Sequence, residues 1–117
     1  MGLSTHVLDT MHGTPAGGMQ VELWTLGAGE PQLARRFSLN GDGRNPDGPL
    51  FDNASLKVGR YRLVFDVAAY FRGRGVQLPD PPFLDRVTLD FGVADVAQHY
   101  HVPLLCSPWS YSTYRGS

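Results

Sequence analysis

Strict alternation of apolar and polar residues, in short runs cut off by glycine and proline, most narrows what this chain can become. MQVELWTL sets Met19, Val21 and Leu23 against Gln20, Glu22 and Trp24. RYRLVFDV puts Tyr61, Leu63, Phe65 and Val67 on one side, and RVTLDFGV puts Val87, Leu89, Phe91 and Val93 opposite Thr88 and Asp90. A period of two matches a strand, whose successive side chains point to opposite faces, and one apolar side means one buried face. Between the runs stand HGTPAGG, NGDGRNPDGP and LPDPP, rich in the residues that turns require. LSTHVLD, QLARRFSL, QHYHVPLLC and WSYSTY bring the total to about seven or eight short strands, the pattern of a sandwich. Only AAYFRGR, after Asp66 and Val67, reads as a helix, and Gly73 and Gly75 keep it short. The expected fold is an all-β sandwich of two antiparallel sheets with one short helix.

With 117 residues and no internal repeat, low-complexity tract or linker, the chain reads as one domain, residues 1–117, with a real core. A formal net charge of −1 is too little basicity to follow a phosphate backbone, so nucleic acid is not an expected partner. No apolar run approaches the roughly 20 residues that a membrane helix needs, and the first residues lack a basic-then-apolar leader pattern. Cys106 is the one cysteine, which excludes intrachain disulfides and a cysteine-based zinc cluster. A cytoplasmic protein is the expectation. One feature resists a solitary sandwich: Tyr100, Trp109, Tyr111 and Tyr114 crowd the last strands. An edge carrying that much apolar surface calls for burial between subunits.

The residues able to do chemistry are few. His6 lies in LSTHVLD, His12 in a turn, and His99 and His101 on one face of a late strand. Such imidazoles are ordinary strand residues, general bases near neutral pH, or, with His6 as a third ligand, a zinc site; the residues alone leave all three open. Arg44 follows the turn dipeptides Asn40-Gly41 and Asp42-Gly43, where a charged side chain faces water. Ser110, Ser112 and Ser117 offer hydroxyls without a nucleophile-elbow motif. Cys106, among Leu104, Leu105 and Pro108, reads as a packed residue.

A resemblance goes further. LSTHVLD followed by GTPAGGMQVELW, the middle segments GRYRLVFDVAAYF and PPFLDRVTLDFGV, and the closing HYHVPLLCSPWSYSTYRGS together resemble the transthyretin-related family, in its 5-hydroxyisourate hydrolase branch. The carrier branch is similar in fold and in the SPxSYST segment but keeps neither the histidines nor the YRGS end. The resemblance implies a transthyretin-like sandwich and a homotetramer, a dimer of dimers with sites in the channel between dimers. The implied activity is opening of the 5-hydroxyisourate ring to 2-oxo-4-hydroxy-4-carboxy-5-ureidoimidazoline in urate breakdown, with no cofactor and no metal. It matches the family's functional positions to His6, to Arg44 in NGDGR, to His101 rather than His99, and to Tyr114, Arg115, Gly116 and Ser117. The implied roles are water activation by His6 and His101, oxyanion stabilisation by Arg44, a catalytic contribution from Ser117, and substrate contacts from Tyr114 and Arg115. Cys106 replaces an aliphatic residue and the NPDGP loop is expanded relative to the family. The alternative is a carrier that takes a small hydrophobic ligand in the same channel.

Overall fold

The computed structural model describes residues 2–52 and 54–116. Its elements run β1 (Leu3–Asp9), β2 (Thr14–Pro15), β3 (Gln20–Leu26), β4 (Gln32–Ser38), β5 (Gly59–Phe65), α1 (Val67–Gly73), β6 (Val87–Val93), β7 (Tyr100–Cys106) and β8 (Tyr111–Thr113). Two four-stranded sheets form, ordered β2-β1-β7-β8 and β4-β3-β5-β6. The alternation read from the sequence carries over. Met19, Val21, Leu23, Leu63, Phe65 and Val87 point inward from the second sheet and meet Leu3, Val7 and Leu104 from the first, all buried. Each such side chain taken from water contributes about 1.5–3 kcal/mol before the entropy of ordering it.

Among the described residues the pairing of strands is antiparallel except at one place. β1 and β7 run parallel, from Leu3 beside Tyr100 to Asp9 beside Cys106. Parallel neighbours need a long connection, and here the whole second sheet supplies it. That pair sits at the centre of the first sheet and decides where the histidines meet. Tyr100 is a core residue rather than a contact reserved for a partner, whereas Trp109, Tyr111 and Tyr114 are exposed in the single chain.

The outer face of the second sheet is polar. Glu22 joins Arg36 at 3.0 Å and Arg86 at 3.1 Å, and Arg62 pairs with Asp90 at 2.6 Å. Such exposed pairs add little stability but keep that face wetted. α1 has no side-chain cap at Asp66, and its stability comes from the buried Val67, Ala68, Tyr70 and Phe71. Among the described residues no helix is long and apolar enough to cross a membrane.

Asp9 ties this helix to β1. Its buried carboxylate accepts the backbone N–H of His12 at 2.9 Å, the His12 ring N–H at 2.6 Å and the Tyr70 hydroxyl at 2.8 Å. Burial alone would raise the Asp9 pKa, but these hydrogen bonds outweigh it and hold the carboxyl below its ordinary value. The unfolded chain therefore takes up this proton first on acidification. The stability that Asp9 contributes is full above the ordinary carboxylate value and is lost as pH falls through the lower, folded value. Tyr70→Phe is expected to cost about 1–3 kcal/mol at neutral pH by removing one of these donors. Thermal melts of the variant should approach those of the parent chain in acid, where the carboxylate is neutralised in both.

Candidate active site

Because β1 and β7 are neighbours, their outward-facing residues form one row on the first sheet. The register sets Ser4 beside His101 and His6 beside Pro103. His6 and His101 are thus diagonal neighbours, their ring centroids 6.4 Å apart and tilted by 32°. His99 lies on the same face, its ring 6.5 Å from that of His101 and nearly parallel to it at 12°. Between the latter two stands Ser4, whose Oγ is 2.8 Å from His101 Nδ1 and 3.2 Å from His99 Nε2.

Arg44 is delivered to this row by its turn. The Asn40 side-chain carbonyl accepts the backbone N–H of Asp42 at 2.9 Å and of Arg44 at 3.1 Å, closing the loop on itself. Gly43 has φ +75°, and a Cβ there would stand 2.4 Å from the Val7 carbonyl oxygen. Only glycine permits that approach, which lets the Val7 N–H donate to the Gly43 carbonyl at 2.9 Å. Arg44 then pairs with His6 as an antiparallel bridge. Among the described residues no carboxylate lies within ion-pair distance of its guanidinium. A hollow of about 230 Å³ at the Ser4–His99 end of the row is lined by Ser4, Arg44, Asn45 and His99 among others, and not by His6 or His101. A larger hollow of about 550 Å³ between the β3–β4 loop and the segment around Lys57 has no imidazole in its wall.

The closing segment returns to His101. The Gly116 N–H donates to the His101 carbonyl at 2.7 Å, and the His101 N–H to that of Gly116 at 3.4 Å. A Cβ at Gly116 would sit 2.9 Å from His101 Cδ2, so the missing side chain is what lets the backbone lie against the imidazole.

Burial and the Arg44 cation, in that order, depress the pKa of both His6 and His101. His6 and His99 add to the effect on His101, while the Asp42 backbone and carboxylate oppose it at His6. Both imidazoles therefore remain neutral to lower pH than a free histidine does. Paired neutral imidazoles beside a fixed cation suit proton abstraction from water next to a carbonyl that gains negative charge.

His6, Arg44 and His101 are thus brought together. Tyr114 and Arg115 do not join them within one chain. The Arg115 guanidinium stacks 4.3 Å from the Tyr100 ring centroid and donates to Gln98 Oε1 at 2.9 Å and the His99 carbonyl at 3.3 Å. Tyr114 lines a separate hollow of about 500 Å³ along the β6 and β8 edges. Ser117 lies outside the described residues. Cys106 is buried, and burial pushes its thiol pKa up to about 12, which suits packing and not nucleophilic chemistry. Among the described residues no group of three His, Cys, Asp or Glu side chains is set to hold a metal ion. Ser4 is the residue that sequence reasoning passed over. Its signal was present, since a residue two before His6 on a strand shares its face.

The profile of the HIUase/Transthyretin family matches residues 3–116. The 5-hydroxyisourate hydrolase 2 of Rhizobium meliloti (strain 1021) is 54% identical over 115 residues, which span 98% of this chain and 95% of that one. The crystal structure of (S)-allantoin synthase superposes with a TM-score of 0.93 at 44% identity; the match covers 99% of this chain but only 43% of that one. The 5-hydroxyisourate hydrolase of Klebsiella pneumoniae superposes with a TM-score of 0.80 at 35% identity over 100% of both chains.

Proposed function

The chain belongs to the HIUase/Transthyretin family, and from that premise we propose that it is a 5-hydroxyisourate hydrolase. The observation that carries this reading is the meeting of His6, Arg44 and His101 on one face, in a chain whose relatives of that name match almost end to end. Hydrolysis forms a bond from water oxygen to a ring carbonyl carbon and breaks the carbon–nitrogen bond of the cyclic amide. His6 and His101 hold the attacking water, one orienting it while the other takes its proton. Arg44, permanently charged and able to donate two parallel hydrogen bonds, receives the developing oxyanion. The proton taken from water then goes to the leaving nitrogen, and the product is 2-oxo-4-hydroxy-4-carboxy-5-ureidoimidazoline. Ser117, Tyr114 and Arg115 remain candidates for substrate contact, and no cofactor is required for this chemistry.

The unit that works is proposed as a homotetramer of single-domain chains, residues 1–117, in the cytoplasm. The histidine row lies on the outer face of its sheet and is half-buried in one chain, while Trp109 and Tyr111 stand exposed on the β7–β8 hairpin. A second copy over that face would exclude water and strengthen each electrostatic contact.

The test is direct. 5-Hydroxyisourate decays unaided, so its ultraviolet absorbance should vanish faster with the protein present, with or without chelator. Unchanged decay at micromolar protein would remove the hydrolase reading. Arg44→Met is expected to lower kcat by about a hundredfold, the size seen when one oxyanion donor is lost. The same change should move the acid limb of the pH–rate profile upward, because without the cation the facing imidazoles protonate more easily. His99 and the Asp42 carboxylate, the other titratable groups beside them, are unchanged in that variant.

A further inference from the structure

We infer that Ser4 is a positioning residue of this site: its hydroxyl, set between the His99 and His101 imidazoles, holds the proton of His101 on Nε2. The consequence for catalysis rests on the hydrolase reading above, but the tautomer itself follows from hydrogen-bond accounting. A serine hydroxyl has one hydrogen to give and lone pairs to receive. Ser4 Oγ reaches one nitrogen of each imidazole, His101 Nδ1 at 2.8 Å and His99 Nε2 at 3.2 Å.

Three proton arrangements satisfy both contacts when the rings are neutral. In the first, Ser4 donates to His99 and receives from His101 Nδ1–H, which requires the His99 proton on Nδ1. That nitrogen is sealed from solvent and has no hydrogen-bond partner among the described residues. A buried N–H without an acceptor is rare in folded proteins, because its lost hydration is not replaced. In the second, both imidazoles donate to Ser4, and the hydroxyl hydrogen is wasted, since Oγ has no further partner among the described residues. In the third, His99 Nε2–H donates to Ser4 and Ser4 donates to His101 Nδ1. This uses every donor of the trio that lies between the rings and leaves only a lone pair unmatched, at His99 Nδ1.

The third arrangement gives His99 and His101 different tasks. His99 is the donor that orients the hydroxyl, and the hydroxyl in turn sets the tautomer of His101. His101 then presents an N–H, at the nitrogen that Ser4 does not engage, to whatever occupies the row. It serves as a hydrogen-bond donor to water or to the leaving nitrogen. His6 is left as the imidazole whose lone pair takes the proton. A wrong tautomer at a catalytic histidine removes the lone pair or the donor from the reacting side, which is costly even when the geometry is intact.

Nitrogen-15 NMR of histidine-labelled protein, recorded without substrate at a pH where the rings are neutral, reads the tautomer directly. His101 should carry its proton on Nε2 in the unaltered chain. In Ser4→Ala the Nδ1–H form should appear, and kcat should fall about tenfold with KM nearly unchanged, as for loss of a group that orients a functional imidazole. Ser4→Thr, which keeps the hydroxyl, should restore both the spectrum and kcat. A His101 protonated on Nδ1 in the unaltered chain would overturn the inference, as would a tautomer unmoved by Ser4→Ala. Absence of turnover in every variant would overturn the hydrolase reading alone, because the spectra decide the role of Ser4 without substrate.

Discussion

Replacing His6 with asparagine is expected to lower kcat for 5-hydroxyisourate by about a hundred- to ten-thousandfold, the range that general acid–base catalysis contributes. KM should change little, because asparagine keeps a polar side chain in the row while losing the ability to accept a proton near neutral pH. Folding should survive, since His6 points outward from β1 and the inward contacts of the strand are made by Leu3, Val7 and the buried Thr5. His101→Asn should show a loss of similar kind, because the shorter amide reaches only to where Nδ1 was and places nothing at the Nε2 position. His99→Asn should be much milder, since that ring acts only through Ser4. Steady-state rates of the three variants, with circular dichroism to check folding, decide the matter. Equal losses for His99→Asn and His101→Asn would refute the division of roles within HYHVPLL.

Deleting Arg115, Gly116 and Ser117 is expected to bring turnover below about a thousandth of that of the full chain, as both placement and polar groups are lost. In most domains such residues are loosely held and deletion is tolerated. Here Gly116 is hydrogen-bonded to His101 through both backbone groups, and its bare Cα lies against the imidazole. Arg115 covers the Tyr100 ring and caps the carbonyl of His99. Removal therefore frees the ring of His101 from one side and loosens the start of β7. The deletion uncovers only Tyr100 at the rim of the core, while Val102 and Leu104 keep their inward packing, so the melting temperature should change far less than the rate. Light scattering on the same sample separates loss of chemistry from loss of assembly. Full activity of the shortened chain would show that Arg115, Gly116 and Ser117 do not serve the site.

The period-two runs sufficed for the two-sheet architecture, because a strand with one apolar side has one way to hide it. Tyr61, Leu63 and Phe65 share a buried side of β5 as the pattern requires, whereas Val67, read into the same run, is the first residue of α1 and is buried from the helix. The helix was legible from its bounds instead, as its apolar residues lie between Asp66 and the glycines at 73 and 75. β2, two residues long, carries too little pattern to be seen. That His99 and His101 share a face also follows from alternation alone.

Which residues stand beside them does not. His6 and His101 are 95 positions apart in the chain, and no local preference encodes that β1 lies parallel to β7 in a register that sets Ser4 against His101. Pairing between distant strands is settled by the packing of the whole core, through which each one-residue slip would turn an apolar side to water. The same holds for Arg44. Its turn dipeptides announce a loop, but only the docking of Gly43 onto Val7 sets Arg44 beside His6. The sequence by itself determined the faces, through the two-residue repeat of the strand, and its family likeness named the candidate residues. The tertiary structure alone decided which faces touch, because hydrogen-bond register and core packing are properties of strand pairs and not of any single strand.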